Sequence, residues 1–214
     1  MRKVAPLVRT TRSSREPKSN IVIVCEGKVT EPQYFKDFRL MRGNSLVSVK
    51  TIGGCGVPVS VVQQAIIEKQ ELISVARKSR DYFDKNFEVW AAFDRDSHPE
   101  TQVPQAFRLA EENGINIAYS NPCFEVWGLM HFECWGKPGH HHDTQRDLKQ
   151  RLDGYCHKTN PVMSVQALNC LYDEAVKNAV RARAQRSNED GSDRGDPSTT
   201  VDLLTERICR NGKN

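Results

Sequence analysis

The chain has 214 residues, of which 38% are hydrophobic and 27% charged, with 31 lysines and arginines against 27 acids for a net charge of +4. That composition describes one sizeable core with room for a small appendage, and excludes a disordered or fibrous chain. No stretch approaches the roughly 20 apolar residues of a membrane span, so no membrane partner is expected.

Residues 1–19 are predicted to be a basic flexible arm. Arg2, Lys3, Arg9, Arg12, Arg15 and Lys18 face only Glu16 there, and no apolar period runs through the segment. The arm reads either as a solvated tail or as a contact for a polyanion. No apolar signal-peptide region follows these basic residues. Seven cysteines (25, 55, 123, 134, 156, 170 and 209) are odd in number and form no C-x-x-C pair. Reduced thiols and a cytoplasmic location are expected.

Residues 20–25 (Asn-Ile-Val-Ile-Val-Cys) predict a strand buried on both faces. Thr30-Glu31-Pro32 predicts a helix start, with Thr30 as cap and Tyr34, Phe35, Phe38 and Met41 as the apolar stripe. Residues 46–52 predict a strand ending in a glycine loop at 53–56. A helix follows from Val57 to about Arg80, with Val61, Ala65, Leu72, Val75 and Ala76 on one side. Residues 87–93 predict a second strong strand, Pro104–Asn113 a helix stopped by Gly114, and 115–119 another strand. Pro122 to about Glu133 predicts a helix with Ser120 as cap and Phe124, Trp127, Leu129 and Met130 among its residues. This alternation predicts an α/β fold with a mostly parallel sheet and helices on both faces.

The last third shows no strong strand. Gly136–Asp143, which contains His140-His141-His142, reads as a loop insertion. A helix is predicted over Val165–Arg186, and Asp196-Pro197-Ser198-Thr199-Thr200 is predicted to cap a final helix ending near Arg210. Lys177, Arg181, Arg183 and Arg186 make a second basic cluster, read as a polyanion contact or a solvated helix face. The expected organisation is the arm, a catalytic core over 20–135, and a helical extension over 136–214 packed on it.

Two predicted strands run directly into acids: Cys25-Glu26-Gly27, and Phe93-Asp94-Arg95-Asp96. Open α/β sheets bind ligands at the carboxyl ends of their strands. Acids two apart on an extended chain point to one side, so Asp94 and Asp96 can reach one cation. Glu125 follows a third strand, with a helix N-terminus favouring phosphate beside it. Four acids at one edge, Glu26, Asp94, Asp96 and Glu125, repel each other unless a cation lies between them, and hard divalent ions take oxygen ligands. The pattern points to metal-dependent phosphodiester chemistry. Gly27 permits close backbone approach to phosphate. Lys28 and Arg95 flank the acids and read equally as phosphate contacts or exposed turn residues.

Bland readings compete elsewhere. Glu125 either ligates a metal or complements a helix dipole, and Glu31 leans towards capping. His98, two residues past the acids, reads either as a proton relay or ligand or, as the favoured reading, as a loop histidine without a role. His131, Cys134, His140, His141, His142, Cys156 and His157 fit no standard zinc spacing, and the histidine run reads as solvated. Trp90, Phe93, Phe124 and Trp127 read as core.

An apolar strand ending Glu-Gly, followed by a later strand ending Asp-x-Asp, resembles the Toprim catalytic fold shared by topoisomerases, primases and several nucleases. More closely, five strings resemble the RloB-like family from about residue 20 to the C-terminus. They are Val24-Cys25-Glu26-Gly27-x-x-Thr30-Glu31-Pro32-x-Tyr34-Phe35, Phe93-Asp94-Arg95-Asp96, Ser120-Asn121-Pro122-Cys123-Phe124-Glu125-x-Trp127, His131-Phe132 and Asp196-Pro197-Ser198-Thr199. The last has Asp where Asn is expected, a conservative change for capping.

The resemblance implies a Toprim-like, Mg²⁺-dependent nuclease acting on DNA or RNA, with Mn²⁺ able to substitute. It also implies an AAA/ABC-type ATPase encoded nearby, a role in antiphage defence, and scope for a homo-oligomer. Carried onto this chain, Glu26 is the general acid/base or a metal ligand, and Asp94 and Asp96 hold Mg²⁺; the residues themselves add Glu125 as a candidate further ligand and Gly27, Lys28, Arg95 and Asn121 as candidate substrate contacts. Hydrolysis is expected, because nothing here supplies a topoisomerase's tyrosine domain. The alternative is a non-catalytic nucleic-acid-binding or regulatory subunit of an ATPase complex. Nucleotidyl transfer is weaker, since the chain has no P-loop string.

Overall fold

β-Branched residues without a polar interruption suit a strand covered on both faces, and Ile21–Cys25 are all buried in β1 (Asn20–Cys25). The computed structural model describes residues 19–43, 46–51, 56–81, 83–96 and 98–212. β1 pairs in parallel with β2 (Val47–Thr51) on one side and β3 (Phe87–Asp94) on the other. β3 pairs in parallel with β4 (Asn116–Asn121), and the two-residue β5 (Ser198–Thr199) closes the edge antiparallel to β4. The order is β2-β1-β3-β4-β5. This is the expected α/β class, a mostly parallel Toprim-like sheet.

Alternating side chains of β1 feed two cores. Ile21, Ile23 and Cys25 face α1 (Thr30–Arg42), α4 (Glu125–Met130), α7 (Tyr172–Asp190) and α8 (Val201–Gly212). Val22 and Val24 face α2 (Pro58–Lys78) and α3 (Gln102–Asn113). The chain leaves β1 towards β2 on one side and later places β3 on the other. The β1/β3 boundary is therefore the topological switch point, where such sheets open a crevice at their carboxyl ends.

Several elements differ from the sequence-based expectation. Met41 and Val75, expected on the buried stripes of α1 and α2, are exposed. Thr30 does not cap α1: Val29 is the cap residue, without a side-chain bond, and Glu31 reaches back to the Gly27 N–H instead. No helix begins at Pro122. Ser120 and Asn121 continue β4, since β5 offers them a partner, and α4 is a six-residue helix starting at Glu125. The peptide bonds Asn121–Pro122 and Asp196–Pro197 are cis.

The C-terminal third holds a strand that composition concealed. Ser198 and Thr199 form β5, anchored by Thr200 N–H to Tyr119 O (2.8 Å) and by Tyr119 N–H to Thr200 Oγ1 (2.8 Å). Two residues carry too little period to be read as a strand. The expected helix over Val165–Arg186 is three pieces: α6 (Val165–Leu168), a 3₁₀ turn at Asn169–Leu171, and α7, which runs on to Asp190. The expected histidine loop is half helix, because α5 (His141–Arg151) begins inside it, capped by His140 Nδ1 accepting from His142 N–H.

The second basic cluster is tied down by acids. Arg183 forms a bidentate pair with the buried Asp202 (2.6 and 2.8 Å). Arg186 bonds Glu189, while Lys177 and Arg181 both meet Glu174. Arg183 and Arg186 are thus taken up internally, while Lys177 and Arg181 stay largely exposed beside the one acid they share. Residues 1–18 of the expected arm and 52–55 of the glycine loop lie outside the described residues. Ser19 belongs to the core: it is buried, and its backbone N–H and C=O both pair with the Asn211 side chain.

Candidate metal centre

Register brings the acids together. Cys25 lies opposite Ala92, and Glu26 N–H donates to Ala92 O (2.9 Å), so Glu26 emerges beside the end of β3. Asp94 ends β3 opposite Ser120 of β4. The carboxyl ends of β1, β3 and β4 thus surround a cavity of about 470 Å³, lined by Glu26, Glu31, Asp94, Asp96 and Glu125. All four acids singled out from the sequence line it, and Glu31 joins them.

Each acid is held differently. Glu26 Oε2 accepts from Asp94 N–H (3.2 Å), and Oε1 lies 2.7 Å from His98 Nε2. Asp94 Oδ2 accepts from Phe124 N–H (3.0 Å). Glu31 Oε1 accepts from Gly27 N–H (3.2 Å). Glu125 Oε1 accepts from Tyr155 O–H (2.5 Å) and lies 3.1 Å from His157 Nδ1. A carboxylate has two oxygens and about four lone-pair sites, so Asp94, Glu31 and Glu125 can accept these bonds and still offer an oxygen lone pair to a cation.

Asp96 reaches the cavity by a route the sequence does not announce. β3 stops at Asp94, and Asp96 sits in the left-handed region with φ 37°. A non-glycine residue there is uncommon and strained. Its N–H donates to Pro122 O (2.8 Å), which holds the turn. Asp94 and Asp96 therefore share the cavity through a turn, and not by alternation along an extended chain.

The electrostatics favour a cation. Burial pushes the Asp94 carboxyl well up, and the charges of Glu31, Glu26 and Glu125 push it further. Glu31 is raised to about 7 by burial, with Glu125 and Glu26 adding. Glu26 is raised by burial against the opposing bonds from Asp94 and His98. Burial also acts against the charge on Glu125, but hydrogen bonds from His157, Tyr155 and Cys123 outweigh it and hold that carboxyl low. Mutually repelling acids around one cavity lose that repulsion when a divalent ion enters. The donor set is hard oxygen, the chemistry Mg²⁺ prefers.

The other expected contacts divide. Gly27 and Lys28 line the cavity, and Lys28 is the one lysine or arginine among its lining residues. A side chain at position 27 would overlap the Glu31 carboxylate and force it to move. Arg95 and Asn121 do not line it: Arg95 Nη1 donates to His98 O (2.5 Å), and Asn121 Nδ2 to Arg194 O (2.9 Å).

Five residues belong to the site that the favoured sequence reading gave no role there. His98 and His157 brace Glu26 and Glu125, and Tyr155 bonds Glu125. His141 Nδ1 lies 2.6 Å from Asp96 Oδ1, and His142 lines the cavity beside it. His98 follows Asp96 by two residues, a signal that was available. Tyr155 and His157 arrive from about thirty residues downstream, and only the fold joins them to Glu125. His131 stays apart, buried with Nδ1 on Trp127 O (2.9 Å). Six cysteines among the described residues are free thiols. No helix among the described residues is long and apolar enough to cross a membrane.

No curated protein and no solved structure matches the chain. The family described as RloB-like protein matches over residues 21–208, which takes in both acid-bearing strands, the 120–125 string, α5 and β5. The chain belongs to the RloB-like family.

Proposed function

We propose that this chain is a Mg²⁺-dependent nuclease that hydrolyses phosphodiester bonds in DNA or RNA. The observation that carries the reading is the gathering of Glu26, Glu31, Asp94, Asp96 and Glu125 around one cavity at the switch point of the sheet. Asp94, Asp96, Glu26 and Glu125 are the residues that would hold the ion. Bound there, Mg²⁺ would supply charge stabilisation at the scissile phosphate and a water made more acidic.

The chain's own groups do the rest. Glu26, oriented by Asp94 N–H and His98 Nε2, is the candidate acid/base, and Lys28, which lines the cavity, is the candidate phosphate contact. Gly27 leaves the Glu31 carboxylate the room that a side chain at position 27 would take. The family resemblance adds the wider setting: a cytoplasmic effector of antiphage defence, gated by an ATPase of AAA/ABC type.

The test incubates the purified chain with plasmid DNA and total cellular RNA in Mg²⁺ or Mn²⁺, with and without the neighbouring ATPase, beside Asp94→Asn. Cleavage by wild type and none by Asp94→Asn supports the reading and identifies the substrate class. Cleavage only with the ATPase supports gating. Equal cleavage by Asp94→Asn places the chemistry elsewhere, and nucleic-acid binding without cleavage in any mixture favours a non-catalytic subunit.

A further inference from the structure

The histidine run at the start of α5 has the makings of a ligand set. His140, His141 and His142 offer ring nitrogens that all lie within 4.8 Å of one another. His141 and His142 line the same cavity as the acids. We propose that these three histidines, with Asp96 behind them, bind a borderline transition-metal ion of the Zn²⁺ or Co²⁺ class at the rim of the cavity, separate in ligand chemistry from the carboxylate centre.

The His141–Asp96 pair is the observation that raises this above a solvated run. His141 Nδ1 lies 2.6 Å from Asp96 Oδ1. A metal-binding histidine commonly donates its other ring N–H to a carboxylate, which fixes the tautomer and leaves the remaining nitrogen as the donor to the ion. With its proton at Nδ1, His141 presents Nε2. His142 shows a weaker form of the same arrangement, with Nδ1 3.4 Å from Gln145 Oε1. His140 Nδ1 makes only a long 3.3 Å cap to His142 N–H, a bond an ion can displace.

Ligand softness separates the two sites. Imidazole nitrogen suits Zn²⁺, Co²⁺ and Cu²⁺, whereas carboxylate and water suit Mg²⁺. Three histidines leave the fourth tetrahedral position open.

Two effects oppose the site, and each has a counterpart that favours it. Zn–N bonds of about 2.0–2.1 Å require the nitrogens to close up, but His140 and His142 are exposed and their rings are free to turn. The N-terminus of α5 carries roughly half a positive charge, against the full carboxylate of Asp96 in contact with His141. The inference does not need the nuclease reading: an ion can bind here whether or not the chain cuts nucleic acid.

The test is equilibrium dialysis of the chelator-treated full chain against Zn²⁺ in excess Mg²⁺, with Co²⁺ as a visible-absorption probe of tetrahedral nitrogen ligation. One Zn²⁺ per chain that Mg²⁺ does not displace is expected. The variant His140→Ser/His141→Ala/His142→Ala loses it; serine keeps the cap of α5, and an unchanged melting temperature establishes folding. Asp96→Asn weakens binding by about 10–100-fold, the usual effect of removing a carboxylate behind a ligating histidine. Glu26→Gln/Asp94→Asn retains the ion. Retention by the triple histidine variant overturns the proposal. So does loss on Glu26→Gln/Asp94→Asn, loss on Cys156→Ser, or displacement by Mg²⁺.

Discussion

His98 Nε2 lies 2.7 Å from Glu26 Oε1, while Asp94 N–H holds the other oxygen of the same carboxylate. Glu26 is thus fixed at both oxygens by residues of the β3 end and the turn after it. Groups that orient a metal-site carboxylate typically contribute 10–100-fold, so His98→Ala should lower cleavage by about that factor. His98→Asn, which can still donate, should recover part of it. Rates measured across a Mg²⁺ series check this, and an unaltered rate in His98→Ala removes His98 from the site.

Position 27 tests whether Glu31 is a fixed part of the cavity. Gly27→Ala should displace the Glu31 carboxylate and reduce stability, because the new methyl group would overlap it. In a Glu31→Ala background the same change should cost less. Contacting pairs couple by roughly 0.5–3 kcal/mol. Urea denaturation of the four proteins in the cycle measures the coupling, and additive effects would show that the two positions do not touch.

Tyr155→Phe removes the hydroxyl that donates to the buried Glu125 and leaves the carboxylate short of a partner. A loss of about 1–3 kcal/mol is expected. Denaturant midpoints report it, and the penalty should shrink in a Glu125→Gln background, where no charge remains to be satisfied.

Asp202 has 0% exposure and its Arg183 partner is also largely covered. Asp202→Ala strands the guanidinium without its bidentate acceptor. Breaking a buried pair from one side costs about 3–5 kcal/mol. Because Arg183 also donates to Thr199 O of β5, hydrogen exchange at Thr199 and Thr200 should quicken along with the global loss.

His131 makes stability depend on pH. Burial drops its pKa from 6.5 to about 4, against the carbonyls of Trp127 and Gly128. The unfolded chain therefore takes up a proton that the fold refuses. Its contribution is complete above pH 6.5 and is lost as pH falls towards 4, up to about 3 kcal/mol. Urea denaturation at neutral and mildly acid pH should show a steeper fall for wild type than for His131→Gln. Parallel curves would remove His131 as the cause.

Which parts of the molecule were legible in the sequence follows from how local each signal is. β1 and β3 are apolar runs that end in acids, so strand, burial and site residue all lie within eight letters. Gly114, at φ 60°, stops α3 as its position after an apolar period suggests. Asp96 was placed for the wrong reason, because a turn held by Pro122 O replaces the extended backbone. β5 is two hydroxyl residues whose strand character exists only against Tyr119 and Ser120. Tyr155 and His157 meet Glu125 through tertiary packing alone, so no spacing rule reaches them. Arg183 looked free because Asp202 lies nineteen positions on, beyond any helical neighbour.

The Ser19–Asn211 pair, together with Arg207 bonding both Ser19 and Glu88, fastens the first and last described segments side by side. They meet at the amino edge of the sheet, whereas Glu26 and Asp94 lie at the carboxyl edge. Six residues of strand separate the two edges by about 20 Å. A linker joining residue 212 to residue 19 would therefore be short, and a circularly permuted chain opened in an exposed loop should keep its cavity.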